Sequence, residues 1–409
     1  MLDRADARFR PACSLSMQKQ KRQVYLLRRV VALFSAALLF CAVIPARQAL
    51  GVTNAPEISA KSCIVVDAET GAVMYELDAD VPMGIASTTK ILTALLVLEN
   101  CYLDEIVEIK KQWTGVEGSS MLLKEGERLT VESMLYGLLL SSGNDAAHAL
   151  ACYVAGSIEA FADMMNTRAA QLGCKNSHFE NPHGLDGETH LGSARDLAII
   201  TAAAMRNDKF ADIVSTRKIS FGKRILENHN KLLEQYEGAI GVKTGYTISA
   251  GRSLVSCAER DGTRVICVTI DDRDDWVDHA NLYDWAFAQY GQLEIKKGES
   301  VDAVLPVVSG VKTSVALMTG RDISVKLPQG CDYTLTVEAP KFVYAVVVRG
   351  GIAGQLVVRL NGVVVATVPL MYTETIRQAE NERLTAHELI KRAWYEANEY
   401  SSYQRFGYY

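Results

Sequence analysis

The sequence lacks most of the features that would assign a chain to a class at once. Charge is nearly balanced, with 43 Lys and Arg against 48 Asp and Glu for a net −5. That balance provides no basic surface and excludes nucleic acid as the expected partner. No GxxxxGK[ST] or GxGxxG stretch is present, so nothing in the sequence points to a nucleotide. Cysteine is sparse and odd in number beyond the leader: Cys63, Cys101, Cys152, Cys174, Cys257, Cys267 and Cys331. An odd, scattered set is no disulfide framework. Several of these residues lie in apolar runs, where a thiol behaves as a small core hydrophobe. The apolar run from Val30 to Ile44, with only Ser35 polar, falls short of the roughly 20 residues that span a bilayer.

What is present begins at that run. Lys19, Lys21, Arg22, Arg28 and Arg29 precede it, and the small residues Ala46 and Ala49 follow it. This is the layout of a signal peptide over residues 1–49, and a start at Met17 would give it more usual proportions. Cys41 follows Leu38, Leu39 and Phe40 rather than small residues, which argues against lipidation. The protein is expected to be exported, to the outer face of the cytoplasmic membrane or the cell wall.

With 409 residues, 49% hydrophobic and 22% charged, the chain can build about two globular domains. Residues 50–60 read as a linker. Ser62–Val66 and Val73–Tyr75 flank Asp67–Gly71 as a hairpin. Helical and polar-loop patterns then alternate to about residue 235. Ile240–Thr247, Leu254–Cys257 and Val265–Ile270 read as strands, and Asp275–Tyr290 is apolar at helical spacing. Strands at both ends with helices between predict an α/β (α+β) catalytic domain over 50–290, a mostly antiparallel sheet packed on helices. From residue 291 to 372 the pattern becomes short β-prone runs, Val343–Val348 among them, with a hairpin signal at Asn361-Gly362. A small all-β sandwich is expected there. The tail, 373–409, places Ala386, Leu389, Ile390, Ala393, Trp394 and Ala397 on one helical face. It is a candidate peripheral membrane contact, a docked helix or a flexible end.

Three short motifs carry the chemistry: Ser87-Thr88-Thr89-Lys90, Ser142-Gly143-Asn144 and Lys243-Thr244-Gly245. Each is common alone, but the ordered set with domain-scale gaps is specific. Ser87 is expected to begin the apolar helix that runs through Ile91–Leu98, where backbone N–H groups favour developing negative charge. Lys90, three residues on, shares its helical face. A serine hydroxyl is a weak nucleophile and needs a base. Lys90 can serve if burial or a neighbouring cation such as Lys243 lowers its pKa. Ser142, in an interhelical loop, can relay a proton. Asn144 can donate its amide to a substrate carbonyl and accept from Lys90. Lys243 and Thr244, on a strand edge that can pair with an extended peptide, can bind a terminal carboxylate, and Gly245 leaves room for close approach.

With these motifs the chain resembles the serine D-alanyl-D-alanine carboxypeptidases, the low-molecular-mass penicillin-binding proteins. Asn181-Pro182-His183-Gly184-Leu185-Asp186, Ser193–Leu197, Asn230–Leu233 and Gly241–Thr247 share in the resemblance, which covers about residues 57–372. It implies that the penultimate D-Ala of a peptidoglycan stem peptide acylates Ser87, that the terminal D-Ala leaves, and that water then frees the serine. It implies an oxyanion hole from the backbone N–H groups of Ser87 and Tyr246, with β-lactams as covalent inhibitors and no cofactor. The family commonly carries a C-terminal amphipathic anchor. Other readings differ in what they require. A class A β-lactamase needs an E-x-x-L-N loop, and none is evident between Asn144 and Lys243. A zinc peptidase would draw on His183, Asp186 and His190, but there is no H-E-x-x-H and no metal is expected. A non-catalytic cell-wall binding protein would be signalled by a missing motif member.

Overall fold

The computed structural model describes residues 39–46, 54–379, 390, 391, 393 and 394. A five-stranded antiparallel sheet forms the frame of the first part. Its strands are β1 (Ser62–Asp67), β2 (Val73–Leu77), β3 (Ala239–Thr247), β4 (Gly251–Arg260) and β5 (Thr263–Ile270). Their spatial order is β2-β1-β5-β4-β3, which leaves β3 as an edge. The central strand β1 is buried along its whole length, as a strand covered on both faces must be.

One face carries helices α1 (Lys90–Asn100), α2 (Val131–Leu139), α3 (Asn144–Ala155), α4 (Ile158–Leu172), α5 (Ala194–Met205) and α6 (Asp208–Ser215). After a single turn, α7 (Leu232–Gln235), the chain enters β3. The other face is covered by α8 (Asp275–Ala288). Two apolar clusters result. One joins Ile64 and Val66 to α1–α6, and the other packs Cys63, Val65, Leu254 and Cys267 on Leu282, Tyr283 and Ala286 of α8. Odd and even residues of one strand thus feed opposite cores. Helix α1 is buried from Lys90 to Val97, and this depth later governs the chemistry of its first residue.

Helix starts are marked by side chains. Thr130, Ser157, Ser193 and Asn207 each accept from a backbone N–H three residues on. The expected linker was 50–60, and its described part, from residue 54, is pinned where Ser59 donates from its N–H to Asp278 and from its Oγ to Asp272, at 2.6 and 2.7 Å.

The second part is all β. Tyr333–Pro340, Ile352–Leu360, Val363–Tyr372, Ser314–Thr319, Ser300–Val308 and Val343–Tyr344 lie side by side in one sheet. Tyr290–Ile295 pairs with Ile323–Pro328 beside it. Leu39–Ala46, from the run read as a signal core, pairs antiparallel with Tyr333–Pro340. The expected Val343–Val348 strand is only Val343–Tyr344, because the chain then turns along the 372–377 segment. Tail residues 390, 391, 393 and 394 are helical, and the rest of the predicted amphipathic stretch lies outside the described residues. Among the described residues no helix is long and apolar enough to cross a membrane.

Candidate active site

Ser87 lies in a 3-10 turn, Ala86–Thr89, and the α-helix begins only at Lys90. The expected helical start is therefore tightened by one turn. Thr88 Oγ1 and Thr89 Oγ1 bond back to the carbonyls of Ile85 and Ala86, at 2.6 and 2.8 Å, which holds that tighter geometry. Ala86 has a left-handed φ of +46°, a conformation that persists only where its surroundings hold it.

Lys90 Nζ donates to Ser87 Oγ at 2.8 Å, Asn144 Oδ1 at 2.7 Å and the His183 carbonyl at 2.6 Å. Its side chain is fully buried. Burial, then the nearby Lys243, hold its ammonium well below the ordinary lysine range, opposed by the Asp145 carboxylate. Lys243 is 1% exposed, and burial lowers its pKa to about 7. Its Nζ donates to the Thr244 carbonyl at 2.9 Å.

Ser142 sits at a left-handed φ of +57° in the tight link between α2 and α3, and is buried. Asn144 is the first residue of α3. Its Oδ1 accepts from Lys90 as expected, whereas Nδ2 donates to the Glu117 carbonyl at 2.6 Å, so that loop takes one of the protons expected for substrate. Asp145 fixes the same loop by accepting from Ser120 Oγ, Met121 N–H and Leu123 N–H.

Strand β3 passes directly by Ser87. A Cβ on Gly245 would lie 3.2 Å from Ser87 N and 3.0 Å from the Ile85 carbonyl. Thr244 and Tyr246 alternate with Lys243 and Gly245, so the first pair faces a cavity and the second faces the Ser87 turn. The cavity, about 320 Å³, is lined by Ser87, Ser142, Thr244, Gly245, Tyr246 and Arg252 among others. Of the eight residues singled out from the sequence, Ser87, Ser142, Thr244, Gly245 and Tyr246 line the cavity, and Lys90, Asn144 and Lys243 are buried behind it.

Other residues emerge only from the fold. The His183 carbonyl is the third acceptor of Lys90, and Gly184 has φ +86° with its Cβ position 1.9 Å from the Ala86 carbonyl. No side chain fits between that loop and the Ser87 turn. His183 and His190 are pushed down to about 3 and about 4, chiefly by burial, so both rings are neutral. No group of three or more metal-ligating side chains forms among the described residues. Arg252 faces Tyr246 across the β3–β4 pair, where both its guanidinium Nη2 contacts to Asp275 are 2.7 Å. The sequence reading began this strand at Leu254 and left Arg252 unassigned, whereas the strand starts at Gly251 and sets Arg252 opposite Tyr246.

This arrangement can do one thing well: a dehydrated amine beside a hydroxyl, below a strand edge, can open a carbonyl held in the cavity. The family model described as D-alanyl-D-alanine carboxypeptidase matches residues 50–274, and that for the C-terminal domain of penicillin-binding protein 5 matches residues 293–378. The D-alanyl-D-alanine carboxypeptidase DacF of Bacillus subtilis is 32% identical over 78% of this chain and 86% of its own. DacC of Escherichia coli is 32% identical over 84% and 90%. The crystal structure of penicillin binding protein 5 from Haemophilus influenzae superposes with a TM-score of 0.61 at 29% identity, covering 80% of this chain and all of that one.

Proposed function

The chain belongs to the D-alanyl-D-alanine carboxypeptidase family, and from that premise we propose how its own residues divide the removal of the terminal D-Ala from peptidoglycan stem peptides. Ser87 is the nucleophile and Lys90 its base. The observation that carries this is the 2.8 Å contact between Ser87 Oγ and the fully buried Lys90 amine. Burial holds its pKa well below the ordinary lysine range, which makes Lys90 available as a proton acceptor.

Ser87 Oγ attacks the penultimate D-Ala carbonyl, and its proton passes to Lys90 Nζ. Collapse of the tetrahedral intermediate breaks the C–N bond, and the proton returns through Ser142 to the leaving amine. Water then adds to the acyl-enzyme and gives its proton to Lys90. Lys90 returns that proton to Ser87 Oγ as the acyl bond breaks, and the new carboxylic acid gives its own proton to solvent and departs as a carboxylate. The backbone N–H groups of Ser87 and Tyr246 face the oxyanion. Asn144 fixes Lys90 through Oδ1. Thr244 and Arg252 bind the terminal carboxylate, and burial, aided by the nearby Lys243, keeps the Lys90 pKa low. The exposed edge of β3, with Gly245 beside Ser87, pairs with the extended peptide. β-Lactams acylate Ser87 by the same attack.

The chain divides into a leader over 1–49, a catalytic domain over 50–290, a β domain over 291–372 and a tail over 373–409. It acts outside the cytoplasmic membrane, and the tail is a candidate membrane contact. The test is incubation of the leaderless protein with labelled penicillin and with a peptide ending in D-Ala-D-Ala. Wild type should form a covalent adduct and release D-Ala, and Ser87→Ala should do neither. Rapid penicillin turnover without D-Ala release would sink the reading.

A further inference from the structure

The catalytic reading leaves one surface unused. It lies at the end of the β domain where the described chain departs toward the tail. After Val343–Tyr344 the backbone runs as a ribbon between two neighbours. Ala345 N–H bonds to the Val308 carbonyl on one side, and Val347 exchanges hydrogen bonds with Ile376 on the other. Gly350 N–H reaches the Tyr372 carbonyl, and Val311 N–H reaches the Arg377 carbonyl.

Side chains alternate along this ribbon. Val347 is buried, at 3%, whereas Val346 and Val348 are 60% and 59% exposed. Tyr344, Val311 and Ile352 beside them are also exposed. Isolated exposed valines need no explanation, but here exposed apolar groups gather on segments joined by backbone hydrogen bonds, and such a gathering marks an interaction surface. Lys341, Arg349 and Arg377 border it, and none has an ion-pair partner among the described residues. Aliphatic tips with a cationic border are complementary to an anionic lipid surface. Chain continuity points the same way. Ala379 N–H bonds to the Ser309 carbonyl, so the segment carrying Ile390 and Trp394 leaves from this end.

We propose that the 341–352 ribbon is itself a lipid-contacting surface, in which Val346 and Val348 enter the interface while Lys341 and Arg349 meet anionic headgroups. This contact is separate from the tail, and it rests on the reading that the protein works at the outer face of the membrane. A protein partner would favour aromatic anchors in a packed pocket, whereas the exposed groups here are mainly aliphatic: Val311, Val346, Val348 and Ile352 beside Tyr344. A single contact of this size is weak, and two together hold a protein to a bilayer. The ribbon would therefore fix the β domain against the membrane rather than leave it swinging on the tail.

The test uses the leaderless full chain with vesicles of equal phosphatidylglycerol and phosphatidylcholine, read by co-sedimentation. Val346→Asp/Val348→Asp should reduce the bound fraction about tenfold, as removal of two buried aliphatic groups implies. Ile390→Asp/Trp394→Asp separates the tail's share. Release of D-Ala from a soluble peptide should be unchanged in both, and its loss in wild type would sink the catalytic reading rather than this one. Hydrogen exchange on wild type avoids any folding defect in the variants. Amides of 341–352 should slow when vesicles are added, and protection confined to 380–409 would overturn the proposal. So would unchanged vesicle binding by the Val346/Val348 variant, failure of wild type to bind, or concentration-dependent self-association through this surface in place of lipid binding.

Discussion

The chemistry turns on two buried lysines. An ammonium taken out of water loses hydration, and its pKa falls unless a carboxylate compensates. Around Lys90 the only opposing carboxylate among the described residues is Asp145, whose oxygens are already occupied by Ser120, Met121 and Leu123. Hence kcat/KM for D-Ala release should rise with pH through a transition far below an ordinary lysine. Lys90→Arg, permanently charged, should lose at least about 10³-fold in acylation. A pH profile with no such ascending limb would refute Lys90 as base. The second lysine gives a stability prediction. Burial brings the Lys243 pKa to about 7 in the folded protein, against the ordinary 10.5 of a solvated lysine. Between those values the unfolded chain holds more protons, so stability gains as pH rises from 7 to 10.5, and the gain is lost as pH falls back through 7. Lys243→Met should remove that slope, a span on the order of 4 kcal/mol. Denaturant melts of the two proteins at pH 6 and pH 10 measure it, and parallel curves would count against the buried, depressed lysine.

Elements, rather than single residues, bring the motifs together. The 181–186 loop is the clearest case. Asn181 Oδ1 accepts from the N–H groups of His183 and Gly184, Thr93 Oγ1 donates to the Pro182 carbonyl, and Asp186 accepts from Thr247 and Ser249. One loop thereby ties α1, the Ser87 turn and the end of β3. Gly184→Ala forces a Cβ against the Ala86 carbonyl at positive φ, and should cost more than about 2 kcal/mol and remove penicillin labelling. A variant that melts and labels like wild type would contradict the close approach. Asp186→Ala frees the strand end and should raise KM several-fold with a smaller effect on kcat. A change confined to kcat would argue against a positioning role. The motifs and the hairpin at Asp67–Gly71 were legible because each is local: spacing on one helix, alternation on one strand, turn residues in order. The loop's task was not, because Gly184 meets Ala86 only after the chain folds back across nearly a hundred residues. Ser87 was expected at an α-helical start for a related reason. The 3-10 turn is set by two threonine back-bonds and by β3 passing beside it, and helical periodicity does not record tertiary crowding. Arg252 was missed because a strand boundary was read from apolar content, and an arginine facing a wet cleft has none.

At the scale of the whole molecule, the two apolar systems are nearly separate. Among the residues whose burial is described, the cluster of the second sheet draws on Ile295, Leu305, Val358 and Leu370 and takes Ala72 alone from between residues 54 and 290, while Leu39–Ala46 adds a strand to the same sheet. The bridge between the parts is polar and small. Tyr290 OH donates to Asp67 at 2.7 Å, Asn361 Nδ2 donates to the Thr70 carbonyl at 2.9 Å, and Cys331 Sγ contacts the Val73 carbonyl at 3.2 Å. All three meet the β1–β2 turn, which the sequence marked as a hairpin without indicating that it doubles as a docking point. Asp67 is nearly buried and also holds Thr70, so loss of the tyrosine hydroxyl leaves a carboxylate oxygen without its donor. Parts that share so little apolar area unfold as separate cooperative units. Calorimetry of the leaderless protein should therefore show two transitions. Penicillin acylation fills the cavity beside Ser87 and stabilises only the state that holds it, so the first part's transition should move upward while the β domain's stays in place. Tyr290→Phe should widen the separation by weakening the bridge by about 1 kcal/mol, without altering the rate of acylation. A single transition that moves as one on acylation would mean that the bridge couples the parts far more strongly than these polar contacts provide.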